Sequence, residues 1–540
     1  MSNQQILRGT LILTAATFLS KFLGLIYTFP FEALVGLSGG ELFMYAYNPY
    51  TILLSISTLG VPLAVSKFVA KYNALGDYET GRRLFRSGLL LMSATGLLCF
   101  LFLYVAAPFL ASIAQNEESI YSASDIVYVM RMVSLALIIV PAMSLIRGFF
   151  QGHDSMGPTA VSQVVEQIVR IAFLLGGAYV ILKWLDGTVT EAVGFAVFAA
   201  FLGALGGLGI LIWYWFKRKN HLDTLLTENT YSSDLSYKQM YKELLLYAGP
   251  FVFVGIANPL YQNIDLFTFK QAMASIGKGA EAGNLLALYT MWLHKVILIP
   301  ISLSTAMALT LIPTITSSYT EQNFDRVKQQ ISQALQIIMF LVMPAAFGLS
   351  VVAYTAYGTL YGVENMDLGG EVLRFYAPIS LLFALFMVTT AIMQGINQQR
   401  FAVISLIGGL LLKLILNIPL IKLFEVYGAI SATAIGYLFA VAFNFWVIAK
   451  YTGIQYKLFA RRTLLISALT LIMVIVAGIT QWLLSMGIQP EDGRMQSAIV
   501  LIIAILAGAA AYGGLSFRSN LAGKLLGQRF AFLKRKSEEQ

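Results

Sequence analysis

The sequence predicts an all-α membrane protein. It would have fourteen transmembrane helices, forming two six-helix lobes related by an internal repeat, with two further helices at the C-terminal end. Three observations lead there. The 540-residue chain is 58% hydrophobic and only 12% charged, about half of the ~25% charge of a soluble globular protein. Apolar segments of the ~20 residues that a helix needs to cross a bilayer recur along its whole length. A polar turn joined to a buried cation occurs twice, at one fixed spacing.

In order, the expected segments are 9–33, 44–69, 87–114, 124–150, 158–182 and 191–216 for the first lobe, and 243–269, 284–316, 330–358, 371–395, 401–423 and 428–449 for the second; 463–487 and 496–517 follow. The domains are then an N-lobe over 1–216, a polar linker over 217–242, a C-lobe over 243–450, a helix pair within 451–517 and a basic tail over 518–540. The N-terminal apolar run is interrupted by Lys21 and has no small-residue cleavage site, which argues against a signal peptide. Of the 36 Lys and Arg residues, 23 fall in the loops and tail on the N-terminal side and five on the other. The positive-inside bias therefore puts both termini in the cytoplasm. The net charge of +9 reflects this asymmetry and implies no nucleic-acid partner. The basic tail, with Lys534, Arg535 and Lys536, suits anionic membrane lipids.

The repeat is carried by Gln151-Gly152 and Gln394-Gly395. The same 243-residue shift takes Ser162 to Ser405 and Arg170 to Lys413. Internal repeats of membrane helices are typical of transporters.

Charges inside the segments cost ~2.5–3.5 kcal/mol each on insertion scales, so they need water, a partner or a ligand. Lys67, Arg131, Arg147 and Arg374 lie near segment ends, and snorkelling suits Arg131 and Arg374. Lys21, Arg170, Lys295 and Lys413 lie near mid-depth. Glu166 and Arg170, spaced i,i+4, are expected to pair within the first lobe. Lys413 has Gly409 where Glu166 would be, and stands near Asn417 or helix carbonyls. Asp265 and Glu32 lie near outer ends. Lys21 and Lys295 have no acid at i±3 or i±4, so both would line a water-filled cavity between the lobes. Excess buried cations favour an anionic ligand, and phosphate or pyrophosphate suits them. His294 reads as a packed neutral histidine and Cys99 as packing. Pro62, Pro250, Pro259 and Pro300 are either tolerated kinks or hinges around the cavity.

No phosphate-binding G-x-x-x-x-G-K-[ST] loop occurs, so nothing points to ATP hydrolysis. Gly36-Leu37-Ser38-Gly39-Gly40 matches the letters of a hydrolase nucleophile elbow, without the strand–turn–helix setting that the chemistry needs. It reads as a flexible external turn, and the chain as no enzyme.

Several stretches resemble one family: LRGTLILTAATFLSKFLGLIY at 7–27, GVPLAVSKFVAKYNALGDYET at 60–80, residues 131–175 around RGFFQGHDSMGPTAV, IPISLSTAMALTLIPTITSSYT at 299–320 and QGINQQRFAVISL at 394–406. With the 6 + 6 + 2 layout, they resemble the MOP superfamily of exporters, and within it the polysaccharide-flippase branch that includes the Gram-positive type of lipid II flippase. The resemblance implies an undecaprenyl-pyrophosphate-linked substrate moved by alternating access. It implies a cavity lined by helices one, two, seven and eight, and a lipid-tail groove at helices thirteen and fourteen. Ser20-Lys21-Phe22-Leu23-Gly24 matches the family's basic motif in helix one, and Lys295, five residues before Pro300, matches its basic residue in helix eight. Lys21 and Lys295 would then hold the pyrophosphate, with Lys67 and Arg147 recruiting it. No bound cofactor is expected, and transport would draw on a coupling ion or the membrane potential. A monomer is expected, working beside the cell-wall synthesis machinery. The alternatives are a flippase for another undecaprenyl-linked glycan, a multidrug cation exporter, for which unpaired membrane acids would be needed, and a nontransporting scaffold.

Overall fold

A computed structural model of the chain describes residues 3–58, 61–115, 120–229, 239 and 256–526. Among these the structure is helical throughout, with no strand. The chain divides into two compact units, 1–287 and 288–540.

The first unit contains α1 (Asn3–Ile26), α2 (Thr28–Thr58), α3 (Val61–Ala74), α4 (Tyr78–Ala114), α5 (Ala123–Ser134), α6 (Ala136–Gly152), α7 (Met156–Lys183), α8 (Val189–Thr227), α9 (Ala257–Ala274) and α10 (Gly279–Ala287). The second opens with a π-helical turn, Leu288–Leu293. It continues through α11 (His294–Thr320), α12 (Phe324–Val351), α13 (Ala353–Tyr361), α14 (Met366–Tyr376), α15 (Ser380–Gly395), α16 (Gln399–Thr452), α17 (Lys457–Ser485), α18 (Arg494–Arg518) and α19 (Leu521–Leu526).

Among the described residues, eleven helical stretches are long and apolar enough to cross a membrane. Nine match one expected segment each. The other two, Ala15–Thr58 and Gln399–Thr452, each span a pair of expected segments. Of the remaining segment, 243–269, residues 243–255 fall outside the described residues and the rest lies at the start of and within α9. The two fused stretches are broken by single residues: Gly36 (φ 68°, ψ −173°) in α2 and Glu425 (φ 55°, ψ −130°) in α16. The turn expected over 36–40 is therefore confined to Gly36. Gly39 and Gly40 are helical and buried, and a side chain at Gly39 would collide with Val35. Only Gly36 adopts a backbone region that is essentially closed to side-chain-bearing residues.

Two pairs of turns, one member of each pair in each unit, have matched local geometry. Between α6 and α7, Asp154 is left-handed (φ 54°) and Ser155 N–H donates to the Phe150 carbonyl at 2.9 Å. Between α15 and α16, at the 243-residue shift, Asn397 is left-handed (φ 57°) and Gln398 N–H donates to the Met393 carbonyl at 2.7 Å. Asp and Asn tolerate this conformation better than other side chains. A second pair of turns matches at a shift of 246. Asp77 caps α4 by accepting from Thr80 N–H at 3.0 Å, and Asn323 caps α12 by accepting from Arg326 N–H at 3.1 Å. Packing matches as well. A Cβ on Gly152 would meet Val69 and the Ser66 carbonyl, and one on Gly395 would meet Ile315 and the Ile312 carbonyl. In both places a glycine lets two helix backbones approach closely, the device that membrane helices use where lipid offers no hydrophobic drive to pack.

The core of the first unit at this end is aromatic. Phe85 and Phe149 lie 4.3 Å apart, and Phe85 stacks on Trp215 at 5.1 Å. Arg82 covers Trp215 and reaches Asp223 at 3.4 Å.

Candidate functional site

In the first unit α1 lies along α7. Thr17 Oγ1 donates to Gln163 Oε1 at 3.2 Å, and Gly24 faces the Gln167 amide. Lys21 lies between these two contacts but slightly to one side of their face, since successive helical residues are 100° apart. Its side chain is exposed, with no ion pair or hydrogen bond to a described residue. Lys67 is exposed on α3, its ammonium 6.0 Å from the Phe68 ring centre.

The expected Glu166–Arg170 pair is not formed. Glu166 instead receives Arg147 across the α6–α7 interface, Nη2 to Oε2 at 2.7 Å, while Arg147 Nε donates to Ser162 Oγ at 2.9 Å. Ser162 sits one turn before Glu166 on α7, so the guanidinium meets both acceptors at once; sequence spacing within α7 could not show a partner arriving from α6. Arg170 turns to α2. It donates to the Tyr47 hydroxyl at 2.8 Å and lies 5.2 Å from that ring's centre. Tyr47 in turn stacks on Phe43 at 5.1 Å and tilts against Tyr50 at 5.4 Å.

A second buried pair escaped the sequence reading. Lys270 Nζ donates to Glu41 Oε1 at 2.8 Å, the two side chains only 3% and 1% exposed. The Tyr45 hydroxyl donates to the same carboxylate oxygen at 3.1 Å. Gly283 of α10 backs the carboxylate so closely that any Cβ there would overlap Glu41. In the sequence Lys270 counts as a loop cation and Glu41 falls between the expected segments 9–33 and 44–69. The available signal was a helix continuing one turn past 269, which puts Asn263, Leu266 and Lys270 on one face; all three are buried. Asp265, on the same helix, is 1% exposed.

In the second unit Lys295 is half-buried in the first turn of α11. His294 is buried, its Nδ1 2.8 Å from the Tyr376 hydroxyl. Lys413 is 1% exposed and donates to Thr433 Oγ1 at 2.7 Å, which also lies 3.1 Å from the Tyr289 hydroxyl. The Thr433 hydroxyl lies past the break at Glu425, in the other half of α16.

The prolines behave differently from one another. Pro62 is the second residue of α3 and Pro259 the third of α9. In a first turn proline removes no helical hydrogen bond, so these two start helices. Pro300 lies inside α11, six residues after the π-helical turn. Pro250 lies outside the described residues.

Comparison with known proteins agrees with this arrangement. The profile of a family described as polysaccharide biosynthesis protein matches residues 6–319. The chain is 48% identical over 531 residues to "Lipid II flippase MurJ" of Bacillus subtilis (strain 168), covering 98% of each chain. It is 25% identical over 469 residues to "Stage V sporulation protein B" of the same organism, covering 85% of this chain and 86% of that one. Among solved structures, a lipid II flippase MurJ in an inward closed conformation superposes with a TM-score of 0.60 at 13% identity, over 93% of this chain and 98% of that one. An inward-facing multidrug transporter of the MATE family, in the MOP superfamily, gives 0.60 at 16% identity, over 80% of this chain and 98% of that one. At such identities the structural likenesses speak for the fold alone, whereas the full-length sequence match reaches further: the chain belongs to the polysaccharide biosynthesis protein family of membrane proteins.

Proposed function

We propose that this protein is a flippase for lipid II, carrying the undecaprenyl-pyrophosphate-linked peptidoglycan precursor from the inner to the outer leaflet of the bacterial plasma membrane. It makes and breaks no covalent bond. One observation carries the reading: 48% identity, end to end, to a protein named for that activity. The architecture proposed with it is fourteen crossings in two six-helix lobes plus two helices, with both termini cytoplasmic. The matched turns and matched glycine contacts support the repeat, and the bias of cations to one side supports the orientation.

In this reading the headgroup enters an aqueous vestibule while the polyprenyl chain stays in lipid. Lys21 and Lys295 hold the pyrophosphate, and Lys67 attracts it at the cytoplasmic entrance. The exposure of Lys21 and Lys67 suits a ligand-facing role. Arg147, already engaged by Glu166 and Ser162, is assigned to fixing α6 against α7 instead of recruiting substrate. Lysine offers the phosphates a compact point charge where arginine would offer a fork, which suits a ligand that must be released after each crossing. A coupling ion or the membrane potential drives the cycle.

The test is complementation of a strain depleted of its own lipid II flippase. Lys21→Ala and Lys295→Ala are expected to abolish growth while the protein still inserts. Outward appearance of labelled lipid II should fall in parallel. Full growth with both alanines would overturn the assignment of these two residues. Growth supported only in a sporulation-defective strain would move the substrate to a different polyprenyl-linked glycan, as the likeness to the stage V sporulation protein allows.

A further inference from the structure

A cavity of about 640 Å³ opens in the second unit between the N-terminal ends of α12 and α17 and the connection that follows α16. Lys21, Lys67 and Lys295 are not among its lining residues, although its α17 wall belongs to the helix pair to which the resemblance assigns the lipid tail. Its polar wall holds Lys328, Arg462, Gln329, Ser332, Gln333 and Gln336, and no carboxylate is among its lining residues.

The cations are held in place. Arg462 Nη1 donates to the Gln336 side-chain oxygen, and the Gln336 amide donates on to Ser332 Oγ at 2.7 Å. Gln336 is 1% exposed, so this chain of bonds is a buried support for a guanidinium whose other N–H groups remain to be used. Lys328 reaches the cavity past Gly453, a left-handed glycine (φ 66°) that closes α16; a Cβ there would lie 3.9 Å from Lys328 Cε. The ammonium also lies 3.4 Å from Asp325, whose side chain is 96% exposed. A contact this open to solvent holds weakly and gives way to a better acceptor.

Depth identifies the ligand. α12 has 28 residues, about 42 Å at 1.5 Å per residue, against a hydrocarbon core of ~30 Å. Its front is polar as far as Gln336 and its remainder apolar. The cavity therefore lies where lipid headgroups lie, on the side to which the cation bias assigns the cytoplasm. Leu458 and Leu525 supply an apolar wall beside the cations. The volume falls in the ~300–1,000 Å³ range of sites that enclose small ligands, too large for a bare anion to fill.

We infer that this cavity is a binding site for a phosphate ester, with Lys328 and Arg462 holding the phosphate and the glutamine amides completing its hydrogen bonds, and that its ligand is the headgroup of an anionic phospholipid. The inference is independent of the lipid that the protein carries across the membrane.

The experiment uses the purified full-length protein in neutral detergent. Native mass spectrometry measures retention of phosphatidylglycerol against the phosphate-free diglucosyl-diacylglycerol. Thermal unfolding is followed with and without millimolar inorganic phosphate. The wild-type protein is expected to retain phosphatidylglycerol roughly tenfold more tightly than the glycolipid, and the Lys328→Gln/Arg462→Gln double variant is expected to lose that preference. If phosphate alone raises the wild-type melting temperature and displaces the lipid, but leaves the double variant unmoved, the site is still a phosphate site and its source is soluble. Should the double variant fail to elute as a monodisperse protein, Lys328→Gln alone is read, since Lys328 lies outside the Arg462–Gln336–Ser332 chain; a loss of about threefold is expected. Equal behaviour of the wild-type protein and the folded variant toward both probes overturns the inference.

Discussion

The two units differ in what ties their buried cations. In the first, three cations meet carboxylates, Lys270 with Glu41, Arg147 with Glu166, and Arg82 with Asp223, while Arg170 donates to the Tyr47 hydroxyl. In the second, Lys413 donates to Thr433, Arg462 to Gln336, and Arg494 to the Tyr361 carbonyl. The backbones nevertheless follow one plan, with turns at Asp154 and Asn397 of the same geometry. At the 243-residue shift, Arg147 corresponds to Thr390 and Glu166 to Gly409. The ion pair of the first unit thus has no counterpart at that shift in the second. Neutral oxygens hold a cation less tightly than a carboxylate does. The difference teaches that two stretches can share turn geometry and helix contacts while their charge partners are set separately.

The largest effect expected is at the most deeply buried pair. Glu41→Gln should destabilise the protein by about 3–5 kcal/mol, because it strands the Lys270 ammonium. Thermal unfolding in detergent measures it, and the Glu41→Gln/Lys270→Met double variant should recover much of the loss. Equal losses in single and double variants would break the contrast between the units. Next comes Glu166→Gln, with about 2–3 kcal/mol expected, since Arg147 keeps Ser162 and is partly open to solvent. Thr433→Val, the matching change in the second unit, removes a neutral acceptor from Lys413 and should cost about 1.5–3 kcal/mol. If it costs more than Glu166→Gln, the hydroxyl is the stronger tie and the comparison inverts. The smallest effects test the shared scaffold. Asp154→Gly and Asn397→Gly should each shift stability by less than about 1 kcal/mol, and in the same direction, since glycine occupies the left-handed region freely. Opposite signs would show that the two turns carry different strain.

Much of the fold was legible because crossing a bilayer leaves a coarse mark: ~20 apolar residues with charge at the ends. The break points were less legible. Gly36 and Glu425 break α2 and α16 in single residues, so the loops that hydropathy leaves room for are almost absent there. The matched turns could be read from Gln151-Gly152 and Gln394-Gly395 because both glycines sit at close helix contacts, which fix residue type. The charge partners were the least readable. Glu166 and Arg170 share a helix face and yet separate, because Arg147 and Tyr47 come from other helices. Lys270 and Glu41 are 229 positions apart, and nothing local in either stretch announces the other. Spacing reports neighbours along one helix, and membrane charges choose theirs across helices.

The single-residue break at Gly36 has a mechanical corollary. A connection without slack cannot absorb displacement, so the rod before it and the rod after it must travel together at that end. Any tilt of the stretch 28–35 is handed directly to the stretch that carries Glu41, Tyr45 and Tyr47.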